Sequence, residues 1–122
     1  GAARVVGVET EGCPAFAAAL EAGAPVDVEV GGIAADSLGA RRLGALPFAM
    51  LSGGRAEAVT VTDEEVRAAQ AWLWSEARLA AEPGGAAALA GLLSGRWSPA
   101  AGERVGVVVC GANLDPADLS EG

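Results

Sequence analysis

The fold class that the sequence predicts is α/β, with a mainly parallel sheet flanked by helices. Three observations lead there. Arg4–Glu9 (RVVGVE) and Arg104–Cys110 (RVGVVVC) are near-continuous apolar runs rich in valine, the pattern of strands covered on both faces. Thr62-Asp63-Glu64-Glu65 is a helix-initiating capping box placed directly after a third β-rich run, Arg55–Val61 (RAEAVTV). Strand-like and helix-like stretches alternate along the chain, the order that builds a parallel sheet.

Taken from the N-terminus, Arg4–Glu9 is the first strand. Pro14 suits the first turn of a helix, Ala15–Ala22 continues it, and Gly23 is its stop. Val26–Val30 (VDVEV) alternates as a half-buried strand or an extended loop does. Gly31–Gly44 (GGIAADSLGARRLG) spaces its apolar clusters like helical turns, but its four glycines oppose a helix at about 1 kcal/mol each. After the Arg55–Val61 strand, Thr62 caps a helix and Glu65 reaches back to it, an arrangement that stabilises by roughly 1 kcal/mol. The spacing predicts that this helix runs to Ala81, with Val66, Gln70, Leu73, Ala77 and Ala80 as its main stripe. Trp72 and Trp74 lie about 200° apart around it, so contacts on two sides are expected. Glu82-Pro83-Gly84-Gly85 breaks the chain, and Ala86–Leu93 starts a second short helix. Pro99–Glu103 is a loop, Arg104–Cys110 a fully buried strand, and Gly111-Ala112-Asn113 the turn that ends it. The tail from Leu114 is acidic and expected to be loosely ordered.

The length, 122 residues, suits one domain. The chain is 52% hydrophobic, but much of that is alanine and only 4% is aromatic, so the core is thin. The formal net charge is −8, from 16 acidic and 8 basic residues. Every basic residue is an arginine, and the eight are scattered, which argues against nucleic acid and against an anionic membrane surface as partners. Histidine is absent, so His-based triads and His-ligated zinc are excluded. Lysine is also absent, which excludes a Schiff base on a side chain of this chain. Cys13 and Cys110 lie far apart among apolar residues and read as reduced thiols of a cytoplasmic protein. No apolar run reaches the roughly 20 residues that span a bilayer. The chain opens Gly-Ala-Ala and its single methionine is Met50, which fits either processing or a start partway through a larger protein.

Ligands of open α/β sheets bind beyond the C-terminal ends of strands. Two such ends carry polar groups: Glu9, and Cys110–Asn113. The second places a thiol, glycine backbone and a carboxamide within four residues. From spacing alone, Cys110 can equally be a small buried hydrophobe and Gly111 a tight turn.

The order VVGVE, GGIAADSLGARRLG, VTVTDEEV, EPGGAAALAGL and VVVCGANLDP resembles the C-terminal half of the threonine/serine dehydratase and serine racemase family. These are tryptophan-synthase-β-like, fold-type II pyridoxal-phosphate (PLP) enzymes. The resemblance covers roughly residues 4–116, which it identifies as part of the large domain of a two-domain catalytic fold, followed by an acidic tail at 117–122. It implies that the catalytic lysine and the glycine-rich phosphate loop lie upstream, so no catalytic residue is expected in this chain. Cys110 matches the residue, usually Ser, that faces the pyridine nitrogen. Gly111 and Asn113 match the GxN turn beside the ring, and Glu82 matches the Glu of an EP(S/T)G segment near the cofactor. Gly84 stands where that segment often has Ser or Thr. Some relatives bind a cation near the residue matching Glu9; with Ala15 where a second carboxylate is found, Glu9, a carbonyl near Cys13 and Glu11 would be what remains. Arg41-Arg42 suits a carboxylate, a dimer contact or a solvated surface pair.

The resemblance implies β-elimination of water from threonine or serine, giving a 2-oxo acid and ammonia. A racemase or a dehydratase for another hydroxy amino acid is the alternative within the family, and a non-catalytic α/β scaffold the alternative outside it. The partners it implies are the N-terminal remainder of the same enzyme, a second subunit in a homodimer, and a small amino-acid substrate.

Overall fold

The computed structural model describes residues 3–119. Two strands, β1 (Val5–Thr10) and β2 (Ala56–Val61), pair in parallel, in register from Val5 opposite Ala56 to Thr10 opposite Val61. Between them lie α1 (Ala15–Ala22), the single-turn α2 (Ala35–Leu38) and α3 (Ala45–Leu51); after β2 come α4 (Asp63–Ala77) and α5 (Pro83–Leu93). A helical crossover between parallel strands is what such pairing requires. Helices cover both faces of the sheet: the Phe16 ring of α1 lies against Gly7, and Gly91 of α5 lies against the Val8 side chain.

β1, α1 and β2 stand where the sequence places them, to within a residue. Gly23 closes α1 in the left-handed region, at φ 74°. Val26–Val30 is the extended loop of the two predicted alternatives, tied by Val28 N–H to the Arg41 carbonyl and by Gly31 N–H to that of Gly12. Of Gly31–Gly44 only the four residues of α2 are helical.

The capping box forms in full: Thr62 Oγ1 accepts from Glu65 N–H and Glu65 Oε1 accepts from Thr62 N–H, both at 3.1 Å. The helix it starts is shorter than predicted. Arg78 turns left-handed at φ 54°, and Leu79 N–H bonds back to the Leu73 carbonyl, so the helix stops at Ala77. Its buried stripe is Val66, Ala69, Gln70 and Leu73, while Ala77 and Ala80 are exposed. The early stop lets Ala81 fold back beneath the helix, where its carbonyl accepts the Gln70 Nε2 hydrogen bond at 2.8 Å. Trp72 and Trp74 are both partly exposed, and α4 packs against α5 and against the Pro116–Leu119 turn. Val61, Val66, Ala69, Leu73, Ala81, Ala86 and Ala90 form the core, with Val8, Ile33 and Leu89 packed against it. Four of its seven buried members are alanine, which explains how little apolar area the core holds.

Three further expectations are corrected. The Glu82–Gly85 segment does not break the chain: Pro83 occupies the first turn of α5, where a missing N–H costs nothing. Arg104–Cys110 is not a buried strand. It is extended but unpaired, and Val108 is 72% exposed. A strand exists only where a neighbour accepts its ladder bonds, and no described strand lies beside this run. Beyond it, Pro116–Leu119 forms a 3-10 turn that buries Leu119, more ordered than a loose tail; residues 120–122 lie outside the described residues.

Candidate functional site

The start of α5 and the turn after the 104–110 run are 25 or more residues apart in sequence and meet in space. Glu82 N–H donates to the Gly111 carbonyl at 3.0 Å, and Cys110 N–H donates to the Gly85 carbonyl at 3.4 Å. Contact this close demands glycine on both sides. A Cβ on Gly85 would overlap the Cys110 carbonyl oxygen, and one on Gly111 would overlap the Glu82 carboxylate. Gly111 also has φ 74°, which side-chain-bearing residues rarely adopt.

Three of the four residues proposed from sequence for the cofactor are therefore joined: Glu82, Cys110 and Gly111. Cys110 is exposed, so it is not the small buried hydrophobe that spacing alone allowed. Asn113 lies two residues beyond Gly111, exposed, after a turn in which Leu114 N–H bonds to the Ala112 carbonyl. A residue that sequence reasoning passed over joins them. Ser37 Oγ accepts the Gly84 N–H at 2.9 Å and fills the space where a Cβ on Gly84 would go. The signal was present in the ADSLG stretch, whose serine had no assigned partner. Gly84 makes room for Ser37.

Glu9 sits at the other strand end. Its Oε1 accepts from Phe16 N–H at 2.7 Å and its Oε2 from Ala17 N–H at 3.0 Å, so it caps the first turn of α1. Burial raises its carboxyl above the usual range, and the two amides oppose that shift. Cys13 is buried, with its thiol 3.4 Å from the Gly31 carbonyl; Glu11 is exposed. Among the described residues no group of three or more His, Cys, Asp or Glu side chains is placed to hold a metal ion. Thr10, the last residue of β1, is fully buried, and its hydroxyl has no hydrogen-bond partner among the described residues. Arg42 pairs with Asp27 at 3.0 Å on the surface.

The junction offers a thiol, a carboxylate and a carboxamide, with glycine backbone between them. That donor set suits the ring of an aromatic cofactor. No basic side chain belongs to it. The fit therefore covers the ring end of such a group.

Known proteins resemble this chain over most of its length. The phenylserine dehydratase of Ralstonia pickettii is 39% identical over 117 residues, which are 96% of this chain and 36% of that protein. The biosynthetic L-threonine dehydratase of Salmonella typhimurium is 35% identical over 92% of this chain and 22% of its own length. The crystal structure of a fungal L-serine ammonia-lyase from Rhizomucor miehei matches with a TM-score of 0.81 and 25% identity, over 96% of this chain and 39% of that one. The chain thus spans well under half the length of the relatives it matches. The family described as pyridoxal-phosphate dependent enzyme matches residues 1–111, and the chain belongs to it.

Proposed function

We propose that this chain forms the ring-facing wall of the cofactor site in an ammonia-lyase that eliminates water from serine, threonine or a related hydroxy amino acid. The observation that carries the reading is the Glu82–Cys110–Gly111 junction, in which Cys110 is exposed and the next residue, Gly111, lies against the Glu82 carboxylate. Bound there, pyridoxal phosphate would supply an electron-withdrawing ring in conjugation with the substrate Cα.

With that group bound, Cys110 would offer the ring a thiol in place of a carboxylate. A thiol there would not hold a proton on the ring as a carboxylate would, which suits elimination, because the departing hydroxyl itself takes the electron pair. A thiol also orients its partner more weakly than a hydroxyl does. Gly111 keeps the Glu82 carboxylate close to the turn, and Asn113 offers an amide at its far side. With no lysine in the chain, covalent attachment of the cofactor and removal of the Cα proton fall to other parts of the enzyme. The immediate partner is then the N-terminal remainder of the same polypeptide, and the enzyme acts as a cytoplasmic homodimer. The names of the relatives support the reaction class. Among the described residues no helix is long and apolar enough to cross a membrane.

The test is a series at Cys110 in the complete enzyme, compared at equal folded fraction. Cys110→Ser should keep the cofactor spectrum and stay within about threefold of the parent elimination rate. Cys110→Asp should shift the spectrum and slow elimination by at least ~10-fold. Identical spectra and rates for Ser and Asp would remove Cys110 from the ring. This chain alone, given cofactor and serine or threonine, should release no ammonia.

A further inference from the structure

Two hydrogen bonds join residues 104–113 to the rest of the described structure, and both end on the first turn of α5. Glu82 N–H donates to the Gly111 carbonyl at 3.0 Å, and the Gly85 carbonyl accepts from Cys110 N–H at 3.4 Å. No side chain from Arg104 to Asn113 makes a hydrogen bond or ion pair with a described residue. The place of Cys110 is therefore set by that turn.

The turn is poorly equipped to hold itself. Glu82, its N-cap, makes no side-chain cap bond, and Pro83 has no N–H to offer. Gly84 and Gly85 follow, and glycine is a weak helix former. Gly85 N–H and Ala86 N–H both reach the Glu82 carbonyl, at 2.9 and 3.1 Å. Gly84 N–H, so near the helix start, has no acceptor in its own helix, and Ser37 Oγ takes it at 2.9 Å. The cap of α5 thus comes from another element, 47 positions upstream. That element is pinned in turn. Ser37 N–H donates to the Ala34 carbonyl at 3.1 Å, Ala34 is fully buried, and Ile33 N–H donates to Asp63 Oδ2 at 3.2 Å. The fit is also close. A Cβ on Gly84 would stand 2.8 Å from Ser37 Oγ, 2.9 Å from Ser37 Cβ and 3.1 Å from Leu38 Cγ.

We propose that Ser37 is a positioning residue for the cofactor ring. Through Gly84 N–H it fixes the first turn of α5, and through that turn it fixes where Cys110 stands. The role presupposes Cys110 at the ring, and Ser37 itself touches no reacting atom. What it supplies is an acceptor oxygen at a set place, so a residue that keeps the oxygen keeps the role. A side chain that merely filled space beside Gly84 would be replaced by alanine with little effect on Cys110.

The test compares Ser37→Ala and Ser37→Thr in the complete enzyme, first without cofactor. Amide exchange at Glu82 and Cys110 should be at least ~10-fold faster in Ser37→Ala than in the parent, and within about threefold of the parent in Ser37→Thr. Exchange at Glu65, in the capping box of α4, should not change, which separates a local release from general loosening. Loaded with pyridoxal phosphate, Ser37→Ala should shift the cofactor absorption band in the parent background and leave it in place in a Cys110→Ala background. The same shift in both backgrounds would overturn the proposal, as would Ser37→Thr behaving like Ser37→Ala. Unaltered exchange at Cys110 in Ser37→Ala would overturn the positioning role alone. Exchange that responds to Ser37, in an enzyme whose Cys110→Ser and Cys110→Asp spectra coincide, would overturn the reading of Cys110 and the positioning role with it.

Discussion

β1 and the 104–110 run are both short and valine-rich, VVGVET against VGVVVC, and they meet opposite fates. Every residue of β1 has a partner on β2, and helices lie on both of its faces. The other run has no ladder partner, and Val105, Val108 and Val109 are 41%, 72% and 38% exposed. Valine content is the same in kind, so it does not decide between them. What differs is whether a neighbouring strand is within reach. β-propensity describes a segment that fits a pleated, half-buried surface, and that surface has to be supplied by other segments.

The comparison can be broken most severely at the anchor of the unpaired run. Gly85→Ala would drive a methyl group into the Cys110 carbonyl, where only backbone can yield. The expected loss is roughly 3 kcal/mol, because α5 and the 110–113 turn must separate. Urea unfolding of the variant checks this; an unchanged midpoint would mean that the junction contributes nothing to stability.

The next test sharpens the contrast directly, one valine against another. Val61 is fully buried at the end of β2, and Val61→Ala should cost about 2 kcal/mol through lost burial and the cavity left behind. Val108→Ala removes the same two methyl groups from an exposed site and should fall within about 0.5 kcal/mol of the parent. Equal effects at the two positions would show that the 104–110 run is packed in solution.

A smaller effect belongs to the link between β2 and α4. Thr62→Ala removes the acceptor for Glu65 N–H and should lower stability by about 1 kcal/mol, measured in the same way. No comparable cap secures the 104–110 run, so its exchange rates should not respond.

Smallest are two pH effects of opposite sign. Arg96 holds the Glu65 carboxyl down to about 2 from its usual 4.5. A depressed carboxylate contributes stability above its unfolded value and loses it as pH falls from about 4.5 toward 2. Glu65→Gln should flatten that part of the stability curve by no more than about 1 kcal/mol, since the ion pair is at the surface. Glu9 is raised by burial, so its contribution is complete below the ordinary carboxylate value and lost as pH rises through the raised one. Glu9→Gln should remove a loss on that side. If both variants altered the acid limb alone, burial would not govern Glu9.

The local features of this protein were legible because their causes lie within a few residues. The capping box at Thr62–Glu65, the start and stop of α1 at Pro14 and Gly23, and the valine-rich β1 all follow from nearest neighbours in the chain. The segments proposed for the site, Glu82 and Cys110–Asn113, came from the resemblance of whole motifs, not from nearest neighbours. The features that needed the tertiary structure join residues far apart. The α4 helix ends at Ala77 because Arg78 turns and Gln70 claims the Ala81 carbonyl. Ser37 reaches Gly84 across 47 positions, and Arg4 reaches Glu103 across 99. α3, whose Leu46 and Met50 are 70% and 62% exposed, is a further element that no local signal singled out. Whether Arg104–Cys110 becomes a strand is decided in the same way. The backbone of a strand must find its hydrogen bonds in another segment, so a run of valines specifies the capacity to pair, and only the arrangement in space specifies the pair.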